Sequence, residues 1–256
     1  MIHPTAVIAP GAKMGTGAHV GPYAVIEDDA VIGDGCRIAA HAVIKRYARL
    51  GARNLVGEHA VIGGDPQDVK FGAATISGVE IGDDNIFREG VTIHRGSRPD
   101  AMTRVGSGCM LMVNAHVGHD CSVGSQVVLV NNAALAGEVT VGDRAFISAA
   151  VGVHQFCRVG RNAMIGGLAK VVQDALPFCI TDGNPARARG LNLVGLRRAG
   201  YKAADIAALK EAYRLLYRKV PLAEAIGKMK GSTSALVLEL AAFLEGGKRG
   251  FAHPQE

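Results

Sequence analysis

A six-residue spacing of aliphatic side chains constrains this chain more than any other feature. Val105, Leu111, Val117, Val123, Leu129, Leu135, Val141, Ile147, Val153, Val159, Ile165 and Val171 follow one another at that interval. With 48% of the chain hydrophobic, such an unbroken run has a chance probability on the order of 10⁻⁴. The same register holds earlier, at Ile2, Ile8, Met14, Val20, Ile26, Ile32, Ile38, Ile44, Leu50, Val56 and Ile62. It breaks at Gly63 to Phe71, resumes at Ile81, Phe87 and Ile93, and breaks again over 94–104. A period of six fits neither the 3.6 of a helix nor the 2 of a simple strand. It fits a hexapeptide β-helix, in which three short strands close one triangular coil and successive coils lie roughly 4.8 Å apart.

Residues three hexapeptides apart then stack. Val117, Leu135 and Val153 form an inward column; Gly118, Ala136 and His154 form a neighbouring one; His119, Gly137 and Gln155 form the next. The spacing therefore predicts that His119, the Gly137 backbone and His154 meet on one edge of the prism. Thirty-four glycines and no tryptophan suit a chain that turns every six residues. The five cysteines, Cys36, Cys109, Cys121, Cys157 and Cys179, have no metal-type spacing and read as small apolar residues in a reducing compartment. A net charge of +5 permits an acidic partner without implying nucleic acid. The Met1-Ile-His-Pro-Thr start has neither a basic region nor an apolar run, and there are no membrane-length apolar stretches. The expectation is a cytoplasmic protein with no integral membrane segment.

The repeat assigns residues 1–186 to the β-helix, with loop insertions near 63–74 and 94–104, and 187–256 to a small α-helical domain. Asp182-Gly-Asn-Pro185 is the boundary signal. Ile206, Leu209, Tyr213, Leu216 and Tyr217 make one helical stripe that Pro221 ends; further helices are expected at 222–229 and 234–244. Between Arg187 and Lys219 stand nine Lys or Arg against Asp205 and Glu211, a basic segment that would attract an acidic carrier protein or form a solvated helical face.

Two readings compete for the histidines. His116, His119 and His154 offer three imidazoles to a metal, but no second acidic or histidine triplet accompanies them. As a base, His119 accepts a proton near neutral pH, and a carboxylate or carbonyl on its other ring nitrogen would fix the tautomer. Gly137, without a side chain, leaves its N–H open to a developing oxyanion. A base with an oxyanion donor is the minimum apparatus for acyl transfer, and needs no cofactor. The bland alternative is a histidine that fills an exposed edge.

The stretches His94-Arg-Gly, Asn-Ala-His-Val-Gly-His-Asp (114–120), Asn-Asn-Ala-Ala-Leu-Ala-Gly (131–137), Val-His-Gln-Phe-Cys (153–157), Ile-Gly-Gly (165–167) and Gly-Asn-Pro-Ala (183–186) resemble the UDP-N-acetylglucosamine O-acyltransferase family that begins lipid A synthesis. The resemblance implies a left-handed parallel β-helix, although parallel crossovers in general favour the right hand. It also implies a homotrimer with sites between subunits. His119 would be the general base that deprotonates the sugar 3-hydroxyl as it attacks the thioester of a 3-hydroxyacyl carrier protein. Asp120 would support that base, and Gly137 would supply the oxyanion N–H. Asp68, Lys70, His94, His116 and His154 match positions that hold the sugar and adjacent groups; Gln155, Asn192 and Arg198 match positions that contact the nucleotide. Gly167 matches the position that limits acyl length, and its lack of side chain implies room for a long chain.

The chain departs from the family at Glu138, where His is usual, and at Val194 and Ala199, where an acidic residue and a second Arg are usual. A carboxylate at Glu138 would pair with the ammonium of a 3-amino sugar nucleotide but only accept a hydrogen bond from a hydroxyl. An amide-forming transfer to that analogue is thus an alternative to ester formation, and a non-catalytic carrier-binding scaffold is a third.

Overall fold

The structure, a computed structural model, describes residues 1–217 and 220–254. The repeat winds into a left-handed parallel β-helix with faces of nine, eight and ten strands. One coil shows how. His116–Val117 lies on the nine-stranded face, Ser122–Val123 on the eight-stranded face and Val128–Leu129 on the ten-stranded face, before Ala134–Leu135 returns to the first. Val117 pairs with Leu135 and Leu135 with Val153, so the inward column stacks as the period of six requires. All three are buried, and the other inward aliphatics join them in one continuous core. The inward step is set by strand alternation, which sends His116, Ala134 and Gly152 outward.

From Gly17 onward most corners are turned by a left-handed residue. Asn114, Asp120, Gln126, Asn132, Glu138 and Arg144 recur every six residues with φ between 57° and 62°. Asn and Asp tolerate this conformation better than most side chains, which explains why Asp can follow the catalytic candidate His119. The N–H of the preceding corner residue has no ladder acceptor. At some corners the next coil caps it: Asp34 Oδ1 accepts from Thr16 N at 2.7 Å, and Asp143 Oδ1 accepts from Ser125 N at 2.8 Å.

The two insertions occupy 65–77 and 95–101, displaced slightly from the breaks in the aliphatic register, because strands extend through Gly64, from Gly78, through His94 and from Met102. Arg95, 8% exposed, joins them: its Nε donates to Asp65 at 2.9 Å, its Nη1 to the Thr75 carbonyl at 2.7 Å, and it lies over the Phe71 ring.

The boundary at 186 falls within an antiparallel hairpin of Cys179–Asp182 and Arg187–Leu191 that ends the ten-stranded face. Helices α1 (Leu193–Arg198), α2 (Ala203–Leu216), α3 (Leu222–Lys230) and α4 (Ala235–Glu245) follow. The short α1 was not anticipated, being too brief to show a stripe; Asn192 caps it by accepting from Gly195 N. Leu209, Leu240 and Leu196 pack with Leu176 and Phe178 of the hairpin region. Arg158 donates to Asp174 at 2.8 Å and lies over Phe243 of α4, and Arg161 pairs with Glu239, so the helices are fixed to the last coils. All five cysteines are buried and free, and burial pushes the Cys121 thiol up to about 12, as an apolar filler requires. Of the basic segment, Arg218 and Lys219 lie outside the described residues. Among the described residues no helix is long and apolar enough to cross a membrane.

Candidate active site

The corner between the nine- and eight-stranded faces gathers His119, Asp120, Gly137 and Glu138. His119 Nδ1 lies 2.7 Å from Asp120 Oδ2. A carboxylate there can only accept, so Nδ1 carries a proton, and in the neutral ring the lone pair lies on Nε2. The ring is 21% exposed and the carboxylate 5%, which leaves the imidazole within reach of a substrate and the carboxylate enclosed. Burial pushes the Asp120 carboxyl up, but hydrogen bonds from Ser97 and His119 and the nearby Arg98 guanidinium outweigh it and hold the group below the ordinary carboxylate value. Ser97 N–H donates to both Asp120 oxygens at 3.2 and 3.1 Å, and Asp120 N donates to Thr103 Oγ1 at 2.8 Å.

Gly137 lies one coil beyond His119. A Cβ built on it would stand 2.5 Å from both Cε1 and Nε2 of His119, so the ring occupies the space that any side chain would fill. Among the described residues the Gly137 N–H has no hydrogen-bond acceptor. Base nitrogen and unpaired donor therefore share one corner. Gln155 continues this column, and His154 stands beside it with Nδ1 3.1 Å from Arg249 Nη2. His154 is engaged by this C-terminal arginine rather than turned onto His119.

The outward column of the nine-stranded face adds His116, whose Nδ1 is 2.8 Å from Thr92 Oγ1 and whose ring meets His94 edge-on at 4.8 Å. Burial, then the neighbouring His116 and His119, lower His94 from 6.5 to about 4; burial and His119 also lower His116. Both favour the neutral form at pH 7. The sign for stability follows: unfolded His94 binds a proton below about 6.5, folded His94 only near 4, so stability should fall as pH drops through that window. Urea midpoints of wild type and His94→Gln between pH 7 and 4 check this; the variant should lose less stability on acidification.

Glu138 meets Arg98 rather than open space. Arg98 Nη1 lies 2.6 Å from Glu138 Oε1, and Arg98 Nη2 lies 3.7 Å from Asp120 Oδ1. Asp68 and Lys70 sit on the first insertion, where Asp68 Oδ1 accepts from Lys70 N at 2.9 Å. That insertion leaves the nine-stranded face at Gly64, which pairs with His94.

Asn192 and Arg198 stand elsewhere. They line a cleft of about 690 Å³ with Val194, Ala199, Arg144 and Phe146. Phe146 and Met164 belong to the ten-stranded face, which lies opposite the His119 corner of the same prism. Gly167 occupies the corner between the ten- and nine-stranded faces, and a Cβ there would meet only Ala149 O at 3.7 Å and Ser148 Cβ at 4.0 Å. Ser97, Arg98, Thr103 and Arg249 are not marked by the sequence. They lie outside the six-residue pattern or contribute through backbone, and no spacing marks them.

A family profile described as "Udp N-acetylglucosamine O-acyltransferase; Domain 2" matches residues 174–252, and a bacterial transferase hexapeptide profile matches 11–46. The acyl-[acyl-carrier-protein]--UDP-N-acetylglucosamine O-acyltransferase of Thiobacillus denitrificans is 47% identical over 253 residues, covering 97% of this chain and 98% of that one. A Synechocystis protein of the same name is 45% identical over 174 residues, 68% of this chain; the match spans 63% of the relative, less than two thirds of its length. The solved Francisella novicida UDP-N-acetylglucosamine acyltransferase superposes with a TM-score of 0.96 at 35% identity, covering 100% of this chain and 95% of that one.

Proposed function

Because the chain belongs to the UDP-N-acetylglucosamine O-acyltransferase family, we propose that it moves a 3-hydroxyacyl chain from acyl carrier protein to the 3-hydroxyl of UDP-N-acetylglucosamine, the first step of lipid A synthesis. The observation that carries the chemistry is the His119 Nε2 lone pair against the unpaired Gly137 N–H, with Asp120 bonded to Nδ1. His119 takes the sugar hydroxyl proton as the oxygen attacks the thioester carbonyl. The new C–O bond leaves a tetrahedral oxyanion to which Gly137 N–H donates. As the C–S bond breaks, the imidazolium returns its proton to the departing thiolate. Asp120 stabilises the imidazolium in between.

His94, His116, Asp68 and Lys70 hold the sugar and its flanking groups in this reading, Gln155 and His154 extend that corner, and Asn192 and Arg198 take the nucleotide. The β-helix carries the chemistry, and the segment from 187 onward contributes nucleotide and carrier contacts. The separation of the Arg198 cleft from the His119 corner supports a site completed by a second copy. The outward columns agree: Leu55, Ile86 and Phe146 of the ten-stranded face are 39%, 37% and 39% exposed. The nine-stranded face presents Val7, Val25 and Val43, whereas the eight-stranded face presents Arg49, Glu80 and Arg104. Packing the two apolar faces of neighbouring copies, as in a homotrimer, would bring the nucleotide cleft of one to the histidines of the next. Exposed Arg197, Lys202 and Lys210 offer an acidic carrier protein a complementary surface; such a donor places the reaction in the cytoplasm.

Turnover of UDP-N-acetylglucosamine with carrier proteins bearing 3-hydroxyacyl chains of graded length tests the reading; no product at any length would overturn it. In the same series Gly167→Met should shift the optimum to shorter chains, because its side chain projects into space that glycine leaves open. An unchanged optimum removes Gly167 from that role.

A further inference from the structure

Three charged groups and one backbone donor form a chain from the second insertion to the imidazole of the proposed base. Glu138 Oε1 holds Arg98 Nη1 at 2.6 Å; Arg98 Nη2 stands 3.7 Å from Asp120 Oδ1; Ser97 N–H, the residue before Arg98, caps both Asp120 oxygens; and Asp120 Oδ2 bonds His119 Nδ1 at 2.7 Å. Arg98 is 62% exposed and Glu138 27%, so neither is needed to fill the core. Arg98 belongs to a segment outside the repeat, and its placement over Asp120 depends on what fastens it. Asp100 N donates to the Ile76 carbonyl, Gly96 N to the Gly78 carbonyl and Ser77 Oγ to the Gly96 carbonyl, which secure the two flanks of the insertion. Glu138 secures its charged side chain.

We propose that Glu138 and Arg98 are paired positioning residues that set the basicity of His119 through Asp120, and that Glu138 is not the counter-ion of a substrate ammonium. The inference rests on the reading of His119 as the base.

Glu138 stands directly after the oxyanion candidate Gly137, and its own N–H donates to the His119 carbonyl at 2.9 Å. Its carboxylate points to Arg98 and neutralises a cation that would otherwise compete with His119 for Asp120. An Arg98 freed of Glu138 would draw on Asp120 and weaken its support of the imidazolium. Removing Arg98 instead would leave two unneutralised carboxylates near the ring and strengthen that support. Among the described residues His94 and His116 also face His119; both are shifted toward the neutral form, and neither has a hydrogen bond or ion pair to Glu138 or Arg98. Cys121, close behind Asp120, is held protonated by burial.

The two single variants should therefore move the base in opposite directions. Glu138→Gln should shift the acid limb of kcat/KM to lower pH, and Arg98→Gln should shift it to higher pH, each by about half a unit. The double variant removes one charge of each sign and should return toward wild type. The ring resonances of His119, assigned with the His119→Ala protein and followed by NMR titration of each full-length protein, should report the same opposed shifts without reference to turnover. Opposed shifts in the titration with no acyl transfer by the wild type would uphold this coupling and sink the functional reading. Shifts in the same direction, or none, overturn the coupling even if the wild type is active. Glu138→Gln should also slow UDP-N-acetylglucosamine and its 3-amino analogue alike; selective loss of the amino substrate would make Glu138 a substrate contact and overturn the assignment.

Discussion

His119→Ala should lower turnover by about 10²–10⁴ while leaving the melting temperature nearly unchanged, the magnitude expected for removal of a general base. The ring rests on Gly137 and contributes one hydrogen bond, to Asp120; it fills no part of the inward column. Truncation therefore removes the base and leaves a small surface gap. The released Asp120 keeps its Ser97 and Arg98 contacts, so its charge is not stranded. Steady-state rates beside calorimetry distinguish this from a structural role: a variant that loses several degrees and retains its rate would reduce His119 to an edge residue.

Leu135→Asp should prevent folding. Leu135 is 0% exposed and stacks between Val117 and Val153 in the coil that also carries Gly137. A carboxylate at that position has no polar partner within the prism, and an unpaired buried charge costs more than a domain's whole margin of stability. Each coil of such a stack is supported by its neighbours, so a defect in the middle separates two halves that each lose a packing surface. Leu135→Ala, which only removes methyl groups, should cost about 2–5 kcal/mol and remain folded. Circular dichroism of the two proteins checks the contrast, and a soluble, cooperatively melting aspartate variant would contradict the packing described.

The β-helix was legible because one spacing decides both the fold and the stacking. Once the inward residues recur every six, His119, Gly137 and Gln155 must fall into one column. The partnership of His119 with Asp120 was only implied by resemblance, since neighbours in sequence need not touch; the left-handed corner at Asp120, φ 59°, is what turns its carboxylate back to the ring. Arg98 was invisible because its place is set by an irregular insertion with no period. Glu138 was conspicuous in sequence for its charge, yet that charge is taken up by Arg98 from 40 residues away. Helix α1 was missed for want of length, although Asn192 as cap and Gly200 with φ 80° just beyond its end were signals present in the chain.

Ester transfer by the His119 corner is tested most directly by offering purified protein a 3-hydroxyacyl carrier protein together with UDP-N-acetylglucosamine and its 3-amino analogue in competition, and identifying the products by mass spectrometry. The expected product is an ester at the 3-position of the ordinary nucleotide, formed only when the carrier thioester is present and lost with His119→Ala. Amide from the analogue with no ester, or no acylated nucleotide from either, would contradict it.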